Sequence, residues 1–207
     1  MGPESVSRVG KRMRLLVLVS SLVLLVLIGP AHQALAQSPA SEQTDDVATN
    51  LVVAMGNRLA LAVPVAAAKR VSGAPVADPA REAQAAEAFV ALVTPSGVPD
   101  AEAREFIQAQ FEASKSVQRA LLQQWSTRPD TIPVGDPPNL ITQVRPALDT
   151  ATQVLATAYV DAWRVARATP RQWEKSLDRA LVQPFGRWRW ERAAFDIAGA
   201  PLTSAWK

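Results

Sequence analysis

The 207-residue sequence contains no cysteine and one histidine, His32. Without cysteine the chain forms no disulfide, offers no thiolate nucleophile and builds no cysteine-ligated metal site. The fold must therefore hold by packing alone. The formal net charge of +3 and the pI near 9.7 are typical of a nucleic-acid or membrane partner only if the basic side chains lie in the folded domain.

The first 36 residues have the three-part layout of a secretory signal peptide. Four basic side chains precede an apolar run over residues 15–28 that only two serines interrupt, and Ala-Leu-Ala at 34–36 offers a cleavage site before Gln37. This run is shorter than the ~20 residues that span a bilayer, so the pattern favours cleavage over an uncleaved N-terminal anchor. We therefore expect a periplasmic or secreted protein whose mature part, residues 37–207, is one domain without stable membrane association.

Removal of the signal changes what the charge implies. Residues 1–36 hold four of the 22 basic and one of the 19 acidic side chains, which leaves a formally neutral domain with 18 of each. A neutral domain gives no electrostatic support for a nucleic-acid partner. Because His32 also leaves, catalytic triads with histidine, histidine general bases and nearly every zinc motif are excluded. Any enzyme chemistry must use arginine, lysine, carboxylates, amides and hydroxyls.

The mature chain has an all-helical pattern, in which stretches rich in Ala, Leu, Gln, Glu and Arg alternate with short Pro/Gly segments. Residues 37–45 are polar and expected to fray, and the proline-rich residues 127–138 predict an ordered connection between helices. Thr169 begins a sequence with the form of a capping box. The six predicted helices cover residues 44–71, 78–93, 100–125, 139–168, 169–182 and 187–197.

Five residues mark where these helices begin or bend. Thr44, Asp78 and Asn139 are suited to cap the first, second and fourth helices through their side-chain oxygens. Pro64 lies inside the first helix and predicts a kink or a one-turn break near residues 60–64. Pro146 is expected to bend the first turns of the fourth helix.

Two isolated cations stand on the first predicted helix. Arg58 and Lys69 are 11 residues apart, about three helical turns, so both project from one face. No other charged residue occurs in residues 51–68, and a buried cation is costly without an anion near it. Either a ligand or protein anion meets them, or both reach solvent or pair with carboxylates of neighbouring helices.

Two further pairs share a helix face because their members are four residues apart: Asp78 with Glu82, and Ser114 with Gln118. Each also has an ordinary explanation. Glu82 near a helix start interacts with the helix dipole, and polar residues in mid-helix are most often solvated. Spacing alone leaves both explanations open.

The order of these residues resembles the exported, all-helical branch of the chorismate mutases, over about residues 44–202. The resemblance implies a single-domain, all-α helical bundle, a homodimer, and a cofactor-free, metal-free [3,3] rearrangement of chorismate to prephenate. Such a reaction needs no nucleophile, so the missing His and Cys are no handicap. The matching fragments are Arg58-Leu59, Val65-Ala66-Ala67-Ala68-Lys69, Val76-Ala77-Asp78-Pro79-Ala80-Arg81-Glu82, Ala113-Ser114-Lys115-Ser116-Val117-Gln118 and Leu140 with Val144-Arg145-Pro146.

The same resemblance implies a role for each residue. Arg58 and Arg145 would bind the two carboxylates of the substrate, a task that suits the guanidinium fork. Lys69 and Gln118 would donate to the ether oxygen, which gains charge as its C–O bond breaks. Glu82 would accept from the ring hydroxyl. The positions that would complete this network are Asp78, Arg81 and Ser114.

Two details qualify the resemblance. Ala85 stands four residues after Arg81, where some family members carry a polar residue, which affects a peripheral contact only. Arg145 matches an arginine that the exported branch supplies from the same chain. The rival functions are a pyruvate lyase acting on isochorismate, with a similar basic pocket, and a non-catalytic helical adaptor or chaperone of the cell envelope.

Overall fold

A computed structural model describes residues 39–182 and 189–204 of the chain. The predicted signal peptide and the predicted connector at residues 184–186 lie outside these ranges. Within them every regular element is helical, which confirms the all-α prediction. The helices are α1 (Pro39–Ala60), α2 (Ala62–Ser72), α3 (Pro79–Val93), α4 (Asp100–Thr127), α5 (Arg145–Ala168), α6 (Pro170–Val182) and α7 (Arg189–Ser204).

Helices α1 and α2 are the single broken helix that Pro64 predicts. Pro64 has no N–H to give to the carbonyl of Ala60, and the break falls at Leu61, inside the predicted interval. Leu61 N donates to Arg58 O at 3.2 Å. By length and composition this apolar segment could cross a membrane, but most of it is buried inside the protein, so it is the core helix of the bundle.

The beginning of α1 differs from the prediction. Residues 39–45 are helical rather than frayed, and Thr44 is not an N-cap, because its hydroxyl donates to the carbonyl of Ala40 at 2.9 Å. Asp45 consequently lies beyond the first turn and pairs with Ser176 and Arg179 of α6. These two hydrogen bonds hold the pKa of Asp45 below its usual range, and the bond from Ser176 has the larger effect.

Asp78 caps α3 as predicted. Its Oδ1 accepts from Arg81 N at 3.2 Å, and Glu82 Oε1 accepts from Asp78 N at 3.2 Å, so the two carboxylates hold the helix start reciprocally. Pro79 occupies the first helical position, where a missing N–H costs nothing. This local geometry fixes where two of the predicted site residues stand.

Helix α5 is preceded by one turn of π-helix, Leu140–Val144. Asn139 caps this turn as predicted, since its Oδ1 accepts from Ile141 N and Thr142 N, each at 2.9 Å. The α-helix therefore begins at Arg145, with Pro146 in its first turn, where the missing N–H costs nothing. The bend at Pro146 stays a prediction.

Three other predicted boundaries change. Thr169 forms no capping box, because its hydroxyl donates back to Val165 O at 3.0 Å. Helix α4 continues two residues past the predicted end, to Thr127. Helix α7 passes the predicted end at Ile197 and runs to Ser204. It tolerates Pro201 because this proline lies in the last turn, where its missing N–H removes only one helical hydrogen bond.

An aromatic cluster joins three of the helices that surround the site. Phe106 of α4 stacks on Tyr159 of α5 with ring centroids 4.2 Å apart, and Phe89 of α3 packs on both rings at 5.9 and 5.7 Å. All three side chains are fully buried. Because such packing is close to crystal density, it fixes the relative positions of α3, α4 and α5.

Candidate active site

A cavity of about 120 Å³ opens where α1 to α5 converge. Since one water needs roughly 10–15 Å³ of such space, the cavity has room for a small organic molecule. All eight residues singled out from the sequence line it, although they come from six separate places in the chain. They are Arg58 of α1, Lys69 of α2, Asp78 before α3, Arg81 and Glu82 of α3, Ser114 and Gln118 of α4, and Arg145 of α5.

The cavity carries more positive than negative charge. Five cationic side chains and three carboxylates line it, a surplus of two positive charges inside a domain that is formally neutral. Its remaining walls are mostly apolar, so water screens these charges less than it would at the surface. The cations are Arg58, Lys69, Arg81, Lys115 and Arg145, and the carboxylates are Asp78, Glu82 and Asp149.

Arg58 is a buried cation that has no carboxylate within 4.0 Å in the described part of the chain; the residue is only 6% exposed. Nε donates to Thr152 Oγ1 at 3.2 Å, Nη1 donates to Gln110 O at 3.5 Å, and the guanidinium lies 5.1 Å from the centre of the Phe111 ring. Burial lowers the pKa of Arg58 to about 10. The alternative that Arg58 reaches solvent or an acidic side chain is therefore wrong.

Lys69 is half-buried, and its Nζ donates to the backbone oxygen of Val76 at 2.5 Å. Burial lowers the pKa of Lys69, while the carboxylates of Asp78 and Glu82 oppose that shift and Arg145 adds to it. The ammonium thus faces both signs of charge in the cavity. It keeps two further N–H donors for a ligand.

Glu82 is held from two sides. Oε1 accepts from Asp78 N, and Oε2 accepts from Lys115 Nζ at 2.8 Å. Lys115 also pairs with Glu112 at 2.7 Å and is 12% exposed. Sequence reasoning passed over Lys115 because a lysine in mid-helix is usually solvated. Its position one turn before Arg119 and beside Ser114 gave no signal that it turns inward.

Gln118 and Ser114 form a buried pair on α4. Gln118 Nε2 donates to Ser114 Oγ at 3.1 Å, and Gln118 Oε1 is buried without a hydrogen-bond partner. Rotating the amide by 180° lets the Ser114 hydroxyl donate to Oε1 and frees both N–H groups of Nε2. An acceptor in the cavity would make that second arrangement the favourable one, since it leaves no buried oxygen unpaired.

Arg81 and Arg145 stand at the more exposed side of the cavity. Arg81 Nη2 donates to Asp149 Oδ1 at 2.8 Å, and Arg145 Nη2 lies 3.7 Å from Asp78 Oδ2. Each of these side chains is more than a third exposed, so the pairs contribute little to stability. Both arginines can exchange these carboxylates for a ligand anion at small cost.

The lining residues to which sequence reasoning gave no role include Phe111, Lys115, Asp149 and Thr152. A signal existed for the last two, because they follow Arg145 by four and seven residues, one and two helical turns along the same face of α5. Among the described residues, no group of three or more His, Cys, Asp or Glu side chains is placed to hold a metal ion.

Comparison with known proteins gives a consistent family. Residues 40–119 match the family described as chorismate mutase type II. The secreted chorismate mutase of Mycolicibacterium smegmatis is 30% identical over 131 residues, which cover 63% of this chain and 70% of that protein.

Two solved structures resemble the fold. The crystal structure of a chorismate mutase from Burkholderia thailandensis has a TM-score of 0.64 at 34% identity, covering 75% of this chain and 98% of that one. A chorismate mutase from Burkholderia phymatum has a TM-score of 0.65 at 27% identity, covering 77% and 97%. The similarity therefore extends over nearly the whole of both solved chains.

Proposed function

The chain belongs to the type II chorismate mutase family, and from this membership and the cavity we propose that it is an isomerase that converts chorismate to prephenate. In this [3,3] rearrangement an ether C–O bond breaks while a C–C bond forms within the same molecule. The enzyme must hold the flexible enolpyruvyl arm over the ring and stabilise the ether oxygen. The observation that carries the proposal is the surplus of two positive charges in a cavity that all eight predicted residues line.

Arg58 and Arg145 are the proposed carboxylate ligands. Arg58 lies buried without an acidic partner in the described chain, and Arg145 has only a long contact to Asp78. A planar guanidinium binds a carboxylate with two parallel hydrogen bonds, which fixes orientation as well as position. Two such clamps, one at the buried end and one at the open side, would hold both ends of a dianion.

Lys69 and Gln118 are the proposed donors to the ether oxygen. Lys69 keeps N–H groups beyond its bond to Val76, and the amide rotation described above frees both N–H groups of Gln118 Nε2 for a ligand acceptor. Charge develops on this oxygen only as the C–O bond breaks, so these donors act more strongly in the transition state than on the bound substrate. Losing one such donor costs about 10²- to 10³-fold in rate.

Glu82 is the proposed acceptor for the ring hydroxyl. Lys115 and Asp78 N hold its carboxylate in place, and an ionised carboxylate keeps lone pairs beyond those two bonds. Asp78 supports the same hydroxyl from the start of α3. Ser114 orients Gln118, and Arg81 completes the carboxylate network at the open side.

The deciding experiment gives the purified protein chorismate and identifies the product. Prephenate supports the proposal, pyruvate indicates a lyase, and no turnover at micromolar enzyme leaves a non-catalytic helical protein of the envelope. Lys69→Ala, purified in parallel, controls for a contaminating host enzyme. It should lose nearly all turnover with unchanged helical content by circular dichroism.

We further propose that the protein belongs to the exported branch of the family and acts in the periplasm or outside the cell as a homodimer. The basic and apolar layout of residues 1–36 and the secreted relative support export. Mass spectrometry of the protein recovered from outside the cytoplasm should give a chain that begins at Gln37. Because one chain supplies all eight residues, activity per chain should persist on dilution below the dimer's dissociation constant.

A further inference from the structure

Arg58 donates a hydrogen bond to Thr152, a residue to which the sequence prediction gave no role. We infer that Thr152 is a positioning residue, which fixes the guanidinium plane of Arg58 so that its remaining N–H groups face the substrate carboxylate. The inference rests on the proposed function, because it assigns the way in which one proposed carboxylate ligand is prepared for binding.

The Thr152 hydroxyl has a fixed polarity. Its O–H donates to the backbone oxygen of Leu148, one turn earlier on α5, at 2.7 Å. The hydrogen is thereby used, and the oxygen presents only lone pairs towards Arg58 Nε, which donates to it at 3.2 Å. Because a threonine side chain is restricted at χ1, the position of this acceptor oxygen relative to α5 is fixed.

This contact decides which edge of Arg58 remains available. Arg58 has five N–H donors in one plane. Thr152 takes the Nε donor, while the contact of Nη1 with Gln110 O, at 3.5 Å, is longer and weaker. Phe111 covers one face of the plane. With Nε held by Thr152, rotation of the guanidinium plane is restricted, and the Nη atoms keep N–H donors for a carboxylate in the cavity that Arg58 lines.

Without the Thr152 hydroxyl, nothing else close holds Nε in the described chain. Arg58 would then point its donors into the cavity in several orientations, and part of the binding energy would be spent on ordering it. The carboxylate bound by Arg58 is present in substrate and transition state alike. Loss of Thr152 should therefore weaken binding of both, which raises KM more than it lowers kcat.

The test compares Thr152→Val with Thr152→Ser in the full-length protein. Valine keeps the size and β-branching of threonine but removes the acceptor, whereas serine keeps the hydroxyl. Thr157→Val is the matched control, because the Thr157 hydroxyl also donates one turn back on α5, to Gln153 O, and it lies at an exposed position away from the site. Chorismate turnover, thermal unfolding and helical content are measured for all four proteins.

We expect Thr152→Val to raise KM by about 10- to 100-fold, the effect of losing a hydrogen bond to a charged group, with kcat within about threefold of wild type. Thr152→Ser should restore KM to within about threefold, and Thr157→Val should match wild type. Equal KM in Thr152→Val and Thr157→Val overturns the inference, as does a loss of kcat and of helical content without a change in KM.

Two further outcomes separate the inference from the proposed function. If the wild type does not convert chorismate, both fall together. If the wild type is active and Thr152→Val does not fold, Thr152→Ala takes its place, because alanine also removes the acceptor oxygen but puts no second methyl group against Arg58 Nε. A raised KM in folded Thr152→Ala supports positioning, and a KM equal to that of Thr157→Val overturns it.

Discussion

Replacing Arg58 by methionine should make the unliganded protein more stable while it destroys activity. Arg58 is buried, uncompensated by any carboxylate within 4.0 Å in the described chain, and burial lowers its pKa to about 10 because it removes water from the guanidinium. At about 1.4 kcal/mol per pKa unit, keeping this side chain charged near pH 7 costs the folded protein roughly 3 kcal/mol.

Three contacts offset part of this cost. The hydrogen bond to Thr152, the longer contact with Gln110 O and the Phe111 ring together contribute about 1–2 kcal/mol, which leaves a net penalty of about 1–2 kcal/mol. Methionine fills a similar apolar volume. The substitution also leaves the Thr152 hydroxyl paired, because it keeps its bond to Leu148 O.

Thermal and urea unfolding of Arg58→Met without ligand is the assay. For a chain of this size a gain of 1–2 kcal/mol should raise Tm by about 2 to 8 °C, while kcat/KM should fall by at least about 100-fold, the cost of removing one member of a buried charge pair. Arg70→Met, at an exposed position in the last turn of α2, should change neither. A loss of more than 1 kcal/mol in Arg58→Met would refute the reasoning, since it would show that the fold itself satisfies this cation.

Three other predictions concern the catalytic network. Gln118→Glu can donate to the ether oxygen only when its carboxyl is protonated, so its rate should fall as pH rises, and a flat pH–rate profile contradicts that contact. Lys69 must carry a proton to donate, and burial lowers its pKa; activity should therefore be present below that pKa and be lost as pH rises through it, earlier than for a solvent-exposed lysine. Lys115→Met removes the cation that holds Glu82 and should lower kcat/KM about 10-fold, whereas Lys175→Met, at an exposed position on α6, should leave it unchanged.

The fold was predictable where the deciding interaction is local. Pro64 removes one N–H, and the helix breaks beside it; Asp78 followed by Pro79 is a helix start in almost any context. Thr44 and Thr169 failed as caps for a shared reason. A threonine hydroxyl can accept from a following N–H or donate to the carbonyl four residues back, and only the position of the helix in the whole fold decides between the two.

The site was predictable through the family resemblance and not through spacing. Each of Arg58, Ser114 and Gln118 had a more ordinary explanation by itself, and only their order along the chain indicated a shared pocket. Contacts such as that of Thr152 with Arg58, 94 residues apart, depend on how α1 packs against α5. Neither helical period nor residue type carries that information.

The location of charge matters more here than its total. The basic excess of the chain belongs to the predicted signal, and the neutral remainder places five cations against three carboxylates around one cavity. The rest of the domain must then carry two more negative than positive side chains. Charges separated by more than about 8 Å of physiological salt solution are largely screened, so the domain as a whole exerts little attraction on a dianion. The preference for a ligand with two negative charges therefore arises inside the cavity. There a threonine oxygen and an aromatic ring, rather than water, surround the guanidinium of Arg58.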